Sequence, residues 1–141
     1  MTDSYRLERF VTAQDADGTF QHAVAELQAG RKRGHWMWFI FPQIAGLGQS
    51  SMSREFAISS LAEAQAYLRH PVLGPRLTQC AQLVSSIDGK TAAEIFGAVD
   101  AMKLRSCMTL FMSAAPDEPA FRSILGKYFD GSPDENTISL L

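Results

Sequence analysis

Residues 30–51 read GRKRGHWMWFIFPQIAGLGQSS, and the choice between an all-helical and a mixed fold turns on the middle of that segment. Trp36-Met37-Trp38-Phe39-Ile40-Phe41 is a continuous apolar run between Gly34-His35 and Pro42. A short all-apolar run fits a buried strand or a buried helical turn equally, because it is too uniform to show a period. The surroundings decide it. On both sides apolar residues recur at helical spacing, and the chain holds no alternating apolar–polar run and no Asn-Gly hairpin signal. The run is therefore expected to be a short buried helix. Pro42 ends it, since a proline pushes the residue before it out of the helical region.

Upstream, Leu7, Phe10 and Val11 share one face of a helix over 7–14, which Asp15-Ala16-Asp17-Gly18 breaks. Thr19 is expected to cap a second helix over 20–29, with Phe20, Ala23, Val24 and Leu27 inward. Gly30 suits its C-terminal cap. Downstream, an irregular loop is expected over 43–53 and a single turn over 54–58. Ser60, with Glu63 at the capping-box position, starts a helix over 61–69. The next helix opens near Pro71 or Pro75 and runs to Ile87. Thr91 and Glu94 form a second capping box, Gly97 stops that helix, and 99–114 is a long one with Leu104, Cys107, Met108 and Phe111 in one stripe. Helices over 120–128 and after Asp134 complete the chain. The reading is all-α: a single compact domain, 1–141, of about six to eight short-to-medium helices around one core.

Composition narrows the function. A chain of 141 residues is the size of one domain, and 46% hydrophobic with 20% charged residues is an ordinary globular mix. The net charge of -2 argues against general nucleic-acid binding, which calls for a basic domain. The polar N-terminus does not resemble a signal peptide, and no apolar run reaches the ~20 residues of a membrane span. The expectation is a soluble, cytoplasmic protein. Cys80 and Cys107 lack CxxC spacing and read as packed free thiols. No metal and no cofactor is expected, because the zinc-binding H-E-x-x-H, the dinucleotide-binding G-x-G-x-x-G and the P-loop ending are all missing, as is the nucleophile elbow G-x-S-x-G. No feature of the sequence specifies an oligomeric state.

Two clusters can carry chemistry. In the first, Arg31, Lys32 and Arg33 can bind phosphate or carboxylate groups, or can complement the dipole of the preceding helix. His35 is the candidate catalytic acid/base; its other reading is a hydrogen bond that locks the aromatic run. Trp36 and Trp38 can stack on a ligand ring or fill the core, and on a helix they point about 200° apart, so one of them at most faces a ligand. Gln43, Gly48 and Ser50 belong to a glycine-serine loop whose backbone can cradle an anion. In the second cluster, Asp100, Lys103 and Ser106 stand at successive i, i+3 positions on one helix face.

The same two clusters carry a resemblance. Gly30 to Gln43, followed by Gly46-Leu47-Gly48 and Ser50, resembles the hallmark of the bacterial family catalogued as domain of unknown function 1810. Leu7-Glu8-Arg9-Phe10, Tyr67-Leu68, His70-Pro71, Phe96-Gly97, Asp100, Lys103-Leu104 and Met108-Thr109-Leu110-Phe111 match its other blocks, so the likeness spans nearly the whole chain. The chain departs from that pattern at Cys107, where serine is more typical. The resemblance implies an all-α fold and no established activity. The family is sometimes labelled calpastatin-like, yet calpastatin inhibitory regions are disordered and this chain is apolar. The resulting expectation is a small anionic ligand, nucleotide-like in one version, bound between the 30–51 stretch and the 100–109 helix. The alternative is a protein–protein interaction module using the same basic and aromatic patch.

Overall fold

A computed structural model of the chain describes residues 3–141. Its regular elements are α1 (Glu8–Asp15), α2 (Thr19–Gln28), α3 (Met37–Ile40), α4 (Ser51–Glu55), α5 (Leu61–Arg69), α6 (Leu73–Ser85), α7 (Ala92–Phe96), α8 (Ala98–Ala114), α9 (Pro119–Tyr128) and α10 (Glu135–Ser139). Among the described residues no strand occurs, and Ile44 and Ile58 form one isolated parallel bridge. The protein is all-α with one core, and the ambiguous apolar run is the short helix α3.

The long helix α8 is the centre. It packs against α5, α7, α9 and α10, while α6 joins α2, α5 and α9. That encirclement explains why α8 buries more than the expected stripe: Ser106, Thr109 and Leu110 are buried beside Leu104, Cys107, Met108 and Phe111. Its hydroxyls find partners at once, as buried polar groups must. Ser106 Oγ donates to the Met102 carbonyl (3.1 Å), and Thr109 Oγ1 donates to that of Arg105 (2.8 Å). Both thiols are buried. Burial pushes Cys80 up to about 12 and raises Cys107 as well, so they pack as inert hydrophobes.

The helix starts show which expectations held. Thr91 and Glu94 form the reciprocal capping box. At α5 the box is incomplete: Ser60 accepts from the Glu63 N–H, but the Glu63 carboxylate takes hydrogen bonds from Ser59 N and Oγ, both 2.8 Å, and an ion pair from Arg9. Thr19 does not cap α2. It is the first helical residue, and its hydroxyl donates back to the Ala16 carbonyl. The turn expected over 54–58 lies earlier, at 51–55, because the Ser50 side chain accepts from Ser53 N and starts α4 there. Helix α6 begins at Leu73 rather than nearer Pro75, with His70 Nδ1 accepting from the N–H groups of Val72 and Leu73. The other ring nitrogen of His70 lies 2.8 Å from Glu8 Oε2, so this histidine serves α6 and α1 together.

Candidate functional site

The segment from Gly30 to Trp36 is irregular, with a turn at Gly30 and a bend at Gly34-His35, and its side chains alternate between exposed and covered. Lys32 and Trp36 point inward, while Arg31, Arg33 and His35 are exposed. Two clamps set this register. Gly30, at φ +77°, closes α2 with hydrogen bonds from Gly30 N to Leu27 O and from Arg31 N to Glu26 O. Lys32 N then donates to Ile95 O at 2.8 Å. The Glu26 carboxylate reaches over the turn and accepts from Arg33 N (2.6 Å), Gly34 N (2.9 Å) and the Trp36 indole N–H (2.9 Å). Burial alone would raise the Glu26 pKa. The hydrogen bonds from Gly34, Arg33 and Trp36, with Lys32 nearby, outweigh that and hold it below the ordinary 4.5.

A lowered folded-state pKa gives stability that is present above the unfolded value and lost as pH falls through the folded one. Glu26→Gln is therefore expected to melt lower than wild type at pH 7, with the gap closing as pH drops below 4.5. Melting curves of both proteins from pH 7 to pH 3 measure this; a gap independent of pH would mean that the charge plays no part.

Trp36, only 2% exposed, belongs to the core. Lys32 Nζ lies 5.1 Å from its ring centroid and pairs with Asp100 Oδ2 at 2.8 Å. The other oxygen of Asp100 pairs with Lys103 Nζ at 3.3 Å, and that ammonium lies 4.9 Å from the Trp38 centroid. One carboxylate on α8 thus ties two lysines together, each stacked on one of the two tryptophans. Across Lys32, Asp100 and Lys103 one positive charge is left over.

On the Trp38 side of this chain lies a cleft of about 250 Å³. Met37, Trp38 and Phe41 line it from the α3 region, Phe56 and Ala57 from the segment after α4, and Lys103 from α8. Its rim is the 43–48 loop, folded back because Ile58 N donates to Gln43 O and Ala45 N to Ile58 O, both 2.8 Å. Ser53 and Arg54 complete the wall. No carboxylate is among the residues that line it. The Trp38 indole nitrogen is buried without a hydrogen-bond acceptor among the described residues. Such an orphan donor costs about 1–3 kcal/mol.

Of the residues singled out from the sequence, Trp38, Gln43, Gly48 and Lys103 come together in the cleft, with Asp100 behind Lys103. Trp36 and Lys32 are held inside the fold. Arg31, Arg33 and His35 face solvent, outside the cleft lining. Ser50 is spent on α4, where its hydroxyl meets Ser53 Oγ at 2.8 Å. Ser106 fastens α10 to α8 through Asp134 (3.2 Å). Gly48 is needed for space: a Cβ there would lie 2.4 Å from Ser53 Cβ. Sequence reasoning missed Arg54, Ser53, Phe56 and Glu26. For Glu26 a signal existed, because an acidic residue in the last turn of α2 opposes the helix dipole and so points to another task.

Fold and site together define a small all-helical protein whose central helix places Lys103, with Arg54 from α4, on the wall of a cleft of about 250 Å³. The chain belongs to the family described as Protein of unknown function (DUF1810), which matches residues 4–141. It is similar to a solved structure, the conserved hypothetical protein Rv1873 from Mycobacterium tuberculosis, with 50% sequence identity, 99% of this chain and 98% of that chain covered, and a TM-score of 0.95. No curated protein matches it. Among the described residues no helix is long and apolar enough to cross a membrane, and no cluster of His, Cys, Asp or Glu is placed to hold a metal ion.

Proposed function

We propose that this protein binds a small anionic ligand in the cleft between α3, the 43–57 segment and α8. The observation that carries the reading is the pairing of two cations, Lys103 and Arg54, with an apolar floor and no lining carboxylate. A concave, mostly apolar site with a few convergent polar groups is the usual form of a ligand pocket. Lys103 meets the anion, Trp38 forms the wall beside it, and Gln43 offers an amide from the rim. Asp100 positions Lys103. His35 lies outside the lining, so an acid/base step is not part of this reading.

Tryptophan fluorescence is the direct test, because Trp36 is shielded and Trp38 borders the cleft. Titration with a panel of carboxylates, sugar phosphates and nucleotides is expected to give a saturable change. Lys103→Ala should weaken it at least tenfold, about 1.4 kcal/mol. Silence from every anion, or an unchanged response in Lys103→Ala, would sink the proposal.

The alternation in the 31–35 segment favours a second reading for a different surface. Arg31, Arg33 and His35 form an exposed basic edge on a segment held rigid by Glu26, which suits an acidic stretch of a protein partner. Arg31→Glu with Arg33→Glu would abolish such an interaction and leave ligand binding in the cleft intact. Loss of ligand binding in that double variant would merge the two surfaces again.

A further inference from the structure

We infer that the ligand is a small carboxylate with a flat or branched apolar body, and not a nucleotide or sugar phosphate. This rests on the cleft reading above and narrows it by size and by donor count.

Size comes first. Pockets for drug-sized ligands usually run from roughly 300 to 1,000 Å³. At about 250 Å³ this cleft falls short of that range. A base, a ribose and a phosphate together would leave no room to spare in it. A single ring or a branched chain fits within, against Met37, Trp38, Phe41, Ile44 and Phe56.

Donor count comes second. A phosphate carries about two charges at neutral pH and three strong acceptor oxygens, and built phosphate sites meet them with several N–H donors. Lys103 has three N–H donors. Asp100 stands on one side of its ammonium at 3.3 Å and the Trp38 ring on another, which leaves about one donor for a ligand. The Gln43 amide at the rim can supply a second, since its backbone carbonyl already holds the 43–58 bridge. With the Arg54 guanidinium exposed and turned to Gln49, Lys103 and Gln43 leave two fixed donors over the apolar floor, which match the two oxygens of a carboxylate. Charge agrees: Lys32, Asp100 and Lys103 together carry one positive charge, enough for a monoanion. Arg54, on the cleft wall, is exposed and reaches Gln49 at 3.4 Å, so solvent screens its charge and it draws an anion in more than it fixes one.

Calorimetric titration of the wild-type protein decides the matter with five probes: benzoate, phenylacetate, 3-methylbutanoate, phenylacetamide and adenosine monophosphate. At least one of the three carboxylates is expected to bind saturably. The neutral amide should bind at least tenfold more weakly than phenylacetate, and the nucleotide should give no heat. Lys103→Met keeps the side-chain length and removes the charge, and Gln43→Ala leaves the backbone bridge in place. Each is expected to weaken the carboxylate at least tenfold and fivefold respectively. Binding of the nucleotide with the carboxylates silent overturns this inference and leaves the anion-binding cleft standing. Equal binding of phenylacetate and phenylacetamide shows that charge is not read and overturns both. Silence from all five overturns both as well. The acid-against-amide comparison needs no variant, so a misfolded Lys103→Met would not spare the proposal.

Discussion

Gly74→Ala will destabilise the protein by about 3 kcal/mol or more, which lowers its melting temperature by roughly 10 °C. Gly74 lies in α6 and is buried. Helix propensity alone argues the other way, since alanine in a helix interior gains about 1 kcal/mol over glycine. The contact decides the sign. A Cβ at position 74 would lie 2.1 Å from the Leu68 carbonyl oxygen and 3.0 Å from its carbon. Both atoms are backbone of α5, so no side-chain rotation relieves the clash and the two helices must move apart. Thermal unfolding followed by far-ultraviolet circular dichroism reads the effect. A neutral or stabilised variant would mean that α5 and α6 slide freely, contrary to the packing seen here.

The second large effect belongs to Arg9. Its guanidinium donates to the carbonyls of Glu55 and Ala57, both 2.8 Å, and to that of Tyr5, and pairs with Glu63 at 3.2 Å. The Glu63 side chain is 3% exposed. Arg9→Leu would leave that carboxylate buried with only Ser59 as donor, together with three carbonyls, those of Tyr5, Glu55 and Ala57, deprived of the guanidinium. Breaking one side of a buried pair costs about 3–5 kcal/mol, and that is the loss expected here. Adding Glu63→Gln to the Arg9→Leu protein should recover part of it, because the uncompensated charge is then gone. The variant should also reach the cleft, since Glu55 and Ala57 flank Phe56, and Phe56 and Ala57 line it. Denaturation midpoints measure the first effect and the fluorescence titration the second. A cost below about 1 kcal/mol would show that water reaches Glu63.

Much of the fold was legible in the residues. Helices α1, α2, α5, α7, α8 and α9 follow from apolar spacing and caps, which are local: Thr91 with Glu94, and Gly30 at a positive φ, need only their own neighbours. The period also separated the tryptophans. A helical run sends Trp36 and Trp38 to different sides, and Trp36 lies in the core while Trp38 borders the cleft. The i, i+3 spacing of Asp100 and Lys103 likewise appears as an ion pair. The structure departs from local expectation where side chains left their own helix. Glu63 abandoned a local box for Ser59 and Arg9, Ser106 turned to Asp134, and Lys32 was drawn to Asp100 across 68 positions of chain.

By itself, then, the sequence determined the helical class, most helix ends and the family, because period, capping and motif are short-range properties of the chain. The tertiary structure alone decided which charges serve the cleft. Arg31 and Lys32 are neighbours in sequence, yet one faces solvent and the other is locked to Asp100 and stacked on Trp36. That division depends on the register of the 31–36 segment, set by the Glu26 carboxylate and the Ile95 carbonyl. The position of Arg54 on the cleft wall depends in the same way on the fold-back that pairs Ile44 with Ile58. Each of these contacts joins residues distant in the chain, and no local preference encodes which distant partner will close it.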